Sequence, residues 1–114
     1  MTLFSTKIIE ATLQAMYTRR NAEAKAKRIF DAAIAVPIRI RLVSIQAAHR
    51  DYMAAWIDPK PDSYKTYSNA IKSAQKACDD ATAEPRKIYI DACGEAKRIH
   101  KAAMSTIKAT NSTS

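Results

Sequence analysis

The residue types that most often perform chemistry are all present in this sequence, but their spacing forms no catalytic or metal-binding motif. His49 and His100 have no second pair of ligands at metal-binding spacing, so we expect two surface or helix-cap histidines. Asp31, Asp79 and Asp80 each lie near Lys or Arg at helical spacing, which is typical of exposed ion pairs. A chain with a single glycine has no glycine-rich phosphate loop. We therefore expect a non-enzymatic protein with no catalytic residues, no cofactor and no metal.

The two cysteines lie almost symmetrically about a proline. A sharp turn at Pro85 would bring Cys78 and Cys93 together, whereas a continuous helix would hold them about 22 Å apart. The sequence has no Cys-x-x-Cys pair, and we expect two buried, reduced thiols.

Basic residues recur at an eleven-residue spacing, which is the charged feature that best indicates a function. Eleven residues make three helical turns, so such residues share one face and follow each other at about 16 Å. Arg28 lies about 200° around a helix from Ala26, so this line points away from the apolar positions. With a formal net charge of +8, the line could attract a polyanion or could be a solvated face. The predicted polyanion-binding residues are Arg28, Arg39, Arg50, Lys65, Lys76, Lys87 and Arg98.

The elements that position these residues are predicted to be helices. One glycine and many alanines are typical of an all-α protein, since sheets need many turns. The segment Asp58 to Ser63 contains two prolines and is the only clear break. We predict a single domain over residues 1–109, formed by a long antiparallel helical hairpin. Helix one covers about residues 5–57, helix two about residues 63–109, and residues 110–114 form a disordered tail.

Pro37 and Pro85 lie inside these predicted helices. A proline within a helix removes one hydrogen bond and kinks the axis, so we predict kinks near residues 37 and 85. One alternative is a four-helix bundle broken at the prolines. A weaker alternative reads residues 37–42 and 86–91 as strands, because their side chains alternate between apolar and polar.

The two halves of the chain resemble each other at an offset of 48 residues, which predicts an internal duplication. The pairs include Asp31 with Asp79, Pro37 with Pro85 and Ile40 with Ile88. Alanines also recur every eleven residues, and small residues let helices approach closely. The predicted helix–helix interface is Ala22, Ala26, Phe30, Ala33, Ile40, Ala48, Ala70, Ala74, Ala81, Ile88, Ala92 and Ala96.

Three classes of function are compatible with these features. We rank first an assembly or scaffold protein that forms homo-oligomers through its alanine-rich interface and presents basic outer faces to a polyanion. The second is a nucleic-acid-binding protein without sequence specificity. The third is a small helical inhibitor or adaptor that binds an acidic protein partner.

The sequence also bears on location. The N-terminal segment lacks a basic region followed by an apolar run, so we predict no secretory signal. The longest apolar run, Ala32 to Ile38, is much shorter than the about 20 residues that a membrane span requires. We expect a protein without a membrane span that is cytoplasmic or lies within a nucleoprotein or virion-like assembly.

Overall fold

Two long helices pack as a hairpin and account for nearly all of the described chain. The computed structural model describes residues 3–58 and 60–112. Helix α1 covers Leu3–Ala54 and helix α2 covers Ser63–Ser112, and no strand occurs among the described residues. The prediction of an all-α helical hairpin is confirmed.

Both helices continue through their prolines. Pro37 lies inside α1 and Pro85 inside α2, so the four-helix alternative and the strand alternative are wrong. Each proline removes only the bond to the carbonyl four residues earlier, and the alanines that precede each proline favour helix. The kinks and the internal duplication stay predictions.

The helix ends differ from the predicted ones by a few residues. Helix α1 ends at Ala54, earlier than the predicted end near residue 57. Helix α2 continues past Ala109 to Ser112, where the Thr110 hydroxyl donates to the Thr106 carbonyl at 3.0 Å. The end of the predicted disordered tail, residues 113–114, lies outside the described residues.

The turn between the helices depends on an unusual backbone conformation at Asp62. Its φ angle is 66°, which lies in the left-handed region that Asp tolerates better than most residues. The Asp62 carbonyl accepts from the Thr66 amide at 2.9 Å and so begins α2. The Ser63 hydroxyl turns back to donate to the Lys60 carbonyl at 2.7 Å. Asp62 is therefore the residue at which the chain reverses into α2.

Buried and half-buried residues repeat every eleven positions along both helices. Each helix has three series of residues, spaced eleven positions apart, in which every member is buried or half-buried. We call these residues the core positions. An eleven-residue repeat keeps these positions on one side of a nearly straight helix. On α1 the core positions are Ile8, Arg19, Phe30, Arg41 and Tyr52; Thr12, Glu23, Ile34 and Ile45; and Ala15, Ala26, Pro37 and Ala48. On α2 they are Ser63, Ala74, Pro85, Ala96 and Ile107; Tyr67, Cys78, Tyr89 and His100; and Ile71, Thr82, Cys93 and Met104.

The chain divides into two compact units. The terminal unit consists of Met1–Phe30 and Lys87–Ser114, and the turn unit consists of Asp31–Arg86. In the terminal unit, Phe30 stacks on Tyr89 with ring centroids 5.1 Å apart. In the turn unit, Tyr52 stacks on Tyr67 with ring centroids 4.8 Å apart. Each unit thus has one stacked aromatic pair joining α1 to α2.

Thr82 is the one polar residue among the buried residues that the structure describes. Its hydroxyl donates to the Cys78 carbonyl at 2.8 Å and accepts from the Arg86 guanidinium at 3.3 Å. Because both of these bonds lie within α2, Thr82 occupies a core position without leaving an unsatisfied polar atom.

Candidate interaction surfaces

The described residues bury very little apolar side-chain volume. The buried apolar residues are four alanines and one cysteine, and no described side chain is completely buried. Large apolar side chains are instead exposed to water, which is unusual for a folded monomer. The exposed ones are Ile9, Leu13, Met16, Tyr17, Ile29, Val36, Ile38, Ile40, Leu42, Val43, Met53, Trp56, Ile57, Tyr64, Ile88, Ile90 and Ile99.

The residues predicted for the helix–helix interface divide into two groups. Ala26, Ala48 and Ala96 are buried, and Phe30, Ala70, Ala74 and Ala92 are half-buried. Ala22, Ala33, Ile40, Ala81 and Ile88 are exposed, so the structure does not place them between α1 and α2. The eleven-residue period was correct, but the alanine line that includes Ala22 lies about 40° around the helix from the line of Ala26.

Ala22, one of these exposed alanines, lines a groove together with other alanines. In the terminal unit, Ala11, Ala22 and Ala103 lie along a groove of about 440 Å³ whose wall includes Ile99. In the turn unit, a groove of about 540 Å³ lies beside the turn and is lined by Asp51, Asp58 and Lys60 among other residues. The alanine line therefore lies at the edge of the helix–helix contact.

All seven basic residues of the predicted polyanion line are exposed. Arg28 lies two residues from the core positions Ala26 and Phe30, and Lys87 lies two residues from Pro85 and Tyr89. Two residues correspond to about 200° of rotation. Both lines therefore lie on the side of their helix that faces away from the other helix, as the sequence predicted.

The basic line on α2 is partly neutralised by acids of the same helix. Lys76 contacts Asp80 at 3.2 Å, and Arg98 contacts Glu95 at 2.6 Å. The hydrogen bond from the Arg98 guanidinium lowers the pKa of the Glu95 carboxyl and raises the pKa of Arg98 itself. These pairs are exposed, so each contributes little to stability.

The basic line on α1 makes no such pairs among the described residues. Within the part of the chain that the structure describes, Arg28, Arg39 and Arg50 make no ion pair. The α1 line therefore carries more uncompensated positive charge than the α2 line. The eleven-residue spacing alone did not predict this difference.

A second apolar stripe on α1 was missed at the sequence level. We call it the back stripe: Ala32, Val36, Ile40, Val43 and Ala47. Its members are three or four residues apart and share one side of the helix. Val43 follows the core position Arg41 by two residues, about 200° around the helix, so the stripe faces away from α2. Spacing alone could have revealed it, but the apolar residues at 34–43 surround the helix on all sides and mask any single face.

Four aromatic residues, Tyr52, Trp56, Tyr64 and Tyr67, gather beside the turn. Tyr52 makes edge contacts with Trp56 and Tyr64, both with ring centroids 6.2 Å apart, in addition to its stack on Tyr67. Trp56 is 69% exposed and Tyr64 is 70% exposed. The cluster is therefore packed at Tyr52 and Tyr67 and open to water at its rim.

Neither histidine has the surroundings of a metal ligand. His49 is exposed and lies beside the Tyr67 ring, with centroids 6.4 Å apart. His100 is half-buried, in contrast to the surface or cap position expected, and its Nδ1 lies 3.3 Å from the Ala15 carbonyl oxygen. Since a carbonyl only accepts, Nδ1 must carry the proton in this bond. No group of three potential metal ligands exists among the described residues.

The two cysteines are free thiols, Cys78 buried and Cys93 half-buried. A hydrogen bond with the Cys93 side chain, together with the charge interaction between these two groups, raises the pKa of the Tyr89 hydroxyl above its ordinary value. A tyrosine is neutral at physiological pH even at its ordinary pKa of about 10, so this shift does not change the charge of the ring that stacks on Phe30.

No described helix contains an apolar stretch sufficient to cross a bilayer. In comparisons with known proteins, no protein-family model, curated protein or solved structure matches this chain.

Proposed function

We propose that this protein is a non-enzymatic assembly protein whose helical hairpins associate with further copies of the same chain. The observation that supports the proposal most directly is that, among the described residues, seventeen large apolar side chains are exposed, while the buried apolar residues are four alanines and one cysteine. A hairpin of this kind has too little core to account for two helices of 52 and 50 residues.

The energetics are compatible with association. Each exposed large side chain, about half buried already, would contribute roughly 1 kcal/mol when fully covered. Covering most of the seventeen would contribute on the order of 10 kcal/mol. This is comparable with the cost of association, about 4–15 kcal/mol. Self-association can therefore supply the burial that the hairpin lacks.

The proposal is tested by measuring the molar mass in solution. Size-exclusion chromatography with light scattering at micromolar concentration should give a multiple of 12.7 kDa. A mass of one chain over this range, with the helices intact by circular dichroism, would contradict the proposal.

Polyanion contact is a second candidate role, and it is compatible with assembly. The exposed line of Arg28, Arg39 and Arg50, which has no ion pair among the described residues, supports it. Such contacts release counterions and weaken as salt rises. Binding of a labelled DNA or RNA duplex should therefore fall steeply between 50 mM and 200 mM salt. Absence of binding at low salt would remove this role and leave the acidic-protein alternative.

Within this role, α1 should matter more than α2. Replacing Arg28, Arg39 and Arg50 with Gln should weaken duplex binding more than replacing Lys76, Lys87 and Arg98 with Gln. The reason is that Asp80 and Glu95 already neutralise part of the α2 line. Equal losses in the two triple variants would show that the pairing on α2 is irrelevant to binding.

A further inference from the structure

We propose that the back stripe of α1 is the contact surface of a two-fold symmetric, antiparallel pairing between two copies of this chain. The inference rests on the proposed self-association and names the surface responsible for it. All five stripe residues, Ala32, Val36, Ile40, Val43 and Ala47, belong to the turn unit. Val36, Ile40 and Val43 are 60%, 58% and 58% exposed, so their outer halves are available to a partner.

The residues on α2 that lie 48 positions after the back stripe differ from it in composition. At the offset of 48 residues, the back stripe corresponds to Asp80, Glu84, Ile88, Asp91 and Glu95, all of which are exposed. Four of these five residues are acidic, as is typical of a solvated helix surface. The α1 stripe has no charged member, so its occupant must itself present an uncharged helical face.

The stripe is complementary to itself. Its order is Ala, Val, Ile, Val, Ala, and the residue numbers of the outer pairs have the same sum, 79. In an antiparallel pair related by a two-fold axis, Ala32 therefore faces Ala47 of the second copy and Val36 faces Val43 of the second copy. The axis falls between positions 39 and 40, so Ile40 lies beside it and faces Arg39 of the second copy. Small alanines at both ends allow the helices to approach, and the three larger side chains fill the centre.

The chain as a whole exposes 8869 Å², whereas a folded monomer of the same mass exposes about 6,200 Å². Surface therefore remains for contact with a further copy. A standard interface buries about 1,200–2,000 Å² in total, so the back stripe would form only the centre of the contact, and a second copy supplies the matching uncharged face.

Arg39 predicts how the pairing responds to salt. It lies four residues before Val43 on the neighbouring line, at the edge of the stripe. Pairing brings Arg39 of both copies toward the same axis, where their charges repel each other. Added salt screens this repulsion, so self-association should strengthen between 50 mM and 300 mM salt.

The first test compares two isoleucines of similar exposure. Ile40 lies on the back stripe, and Ile88, at the matched α2 position, is 52% exposed among acidic neighbours. In sedimentation equilibrium, Ile40→Lys should raise the dissociation constant at least tenfold, because it adds positive charge beside the two Arg39 side chains, and Ile88→Lys should change it less than threefold. Circular dichroism at one high concentration checks that both variants remain helical.

The second test determines the register. Val36→Asp and Val43→Lys should each weaken association at least tenfold, because each buries one charge against an apolar side chain. The double variant should return to within about threefold of the unmodified protein, because the introduced carboxylate of one copy then faces the introduced ammonium group of the other. A parallel pairing would place like charges together and give no such recovery.

The outcomes separate the inference from the proposed function. If the unmodified chain associates but Ile40→Lys and Ile88→Lys weaken it equally, the back stripe is not the interface, and the assembly proposal stands. If the double variant does not recover, the antiparallel register is wrong. If the unmodified chain is monomeric at all concentrations, both the inference and the proposed function are overturned.

Discussion

Phe30 on α1 stacks on Tyr89 of α2, with ring centroids 5.1 Å apart and ring planes inclined by 28°. Tyr52 and Tyr67 form the second stack, at 4.8 Å and 27°. Phe30 and Tyr52 are 22 residues apart, and so are Tyr67 and Tyr89. Since 22 is twice the eleven-residue period, both pairs occupy the same core series on each helix. Each stack therefore fixes the antiparallel register of α1 and α2 within its own unit.

Truncating either ring of the first stack should destabilise the hairpin. Phe30→Ala and Tyr89→Ala should each lower the free energy of unfolding by about 2–3 kcal/mol, less than for a fully buried ring because both residues are half-buried. A double-mutant cycle in urea at fixed protein concentration should give a coupling energy of about 1 kcal/mol. Additive losses would mean that the two rings do not interact.

His100 should contribute through one cross-helix hydrogen bond to the Ala15 carbonyl. His100→Ala should cost about 1 kcal/mol or somewhat more, including lost packing. His100→Asn is the matched control, because its amide nitrogen can occupy the place of Nδ1 and donate the same bond. Thermal unfolding at one concentration should rank the unmodified protein and His100→Asn above His100→Ala. Equal losses in both variants would show that the hydrogen bond contributes nothing.

The turn should be sensitive to the residue type at position 62. Because Asp62 has a φ angle of 66°, a β-branched residue there would be strained, whereas Asn and Gly accept this conformation. Asp62→Val should lower stability by about 1–2 kcal/mol, and Asp62→Gly should leave it unchanged or raise it slightly. Chemical denaturation distinguishes the two. A Val variant as stable as the Gly variant would contradict the left-handed turn.

The prolines should limit the stability of both helices. Pro37→Ala would add an amide that can donate to the Ala33 carbonyl, and Pro85→Ala would do the same for Ala81. Each change should raise the free energy of unfolding by about 1–3 kcal/mol, reduced by the packing that the half-buried rings lose. Loss of stability in both variants would indicate that the hairpin depends on the proline rings themselves.

Much of the fold was predictable from the sequence because it depends on local signals. Scarce glycine, abundant alanine and the prolines beside Asp58 were sufficient for two helices and one turn. The eleven-residue period was also visible. Its phase was not, because alanines occupy both a core series, with Ala26, and the adjacent exposed line, with Ala22. Composition cannot distinguish two alanine lines about 40° apart.

The interaction surfaces were harder to predict for a different reason. The basic line was correctly placed outside, because Arg28 and Lys87 lie about 200° from core positions. Asp80 and Glu95 neutralise Lys76 and Arg98 through side-chain contacts. The spacing of the basic residues does not reveal these contacts. The back stripe becomes evident only when exposure shows that Ile40 and Val43 are not used between α1 and α2.

If the helices need further copies of the chain to cover their apolar residues, thermal unfolding must depend on protein concentration. Measuring this dependence is the most direct test of assembly. Unfolding of an assembly releases its chains, so its midpoint temperature rises with concentration. We predict a rise of several degrees when the concentration is raised from 1 to 100 micromolar, as followed by circular dichroism at 222 nm. A midpoint that does not change over this hundredfold range would show a stable monomeric hairpin and contradict the assembly proposal.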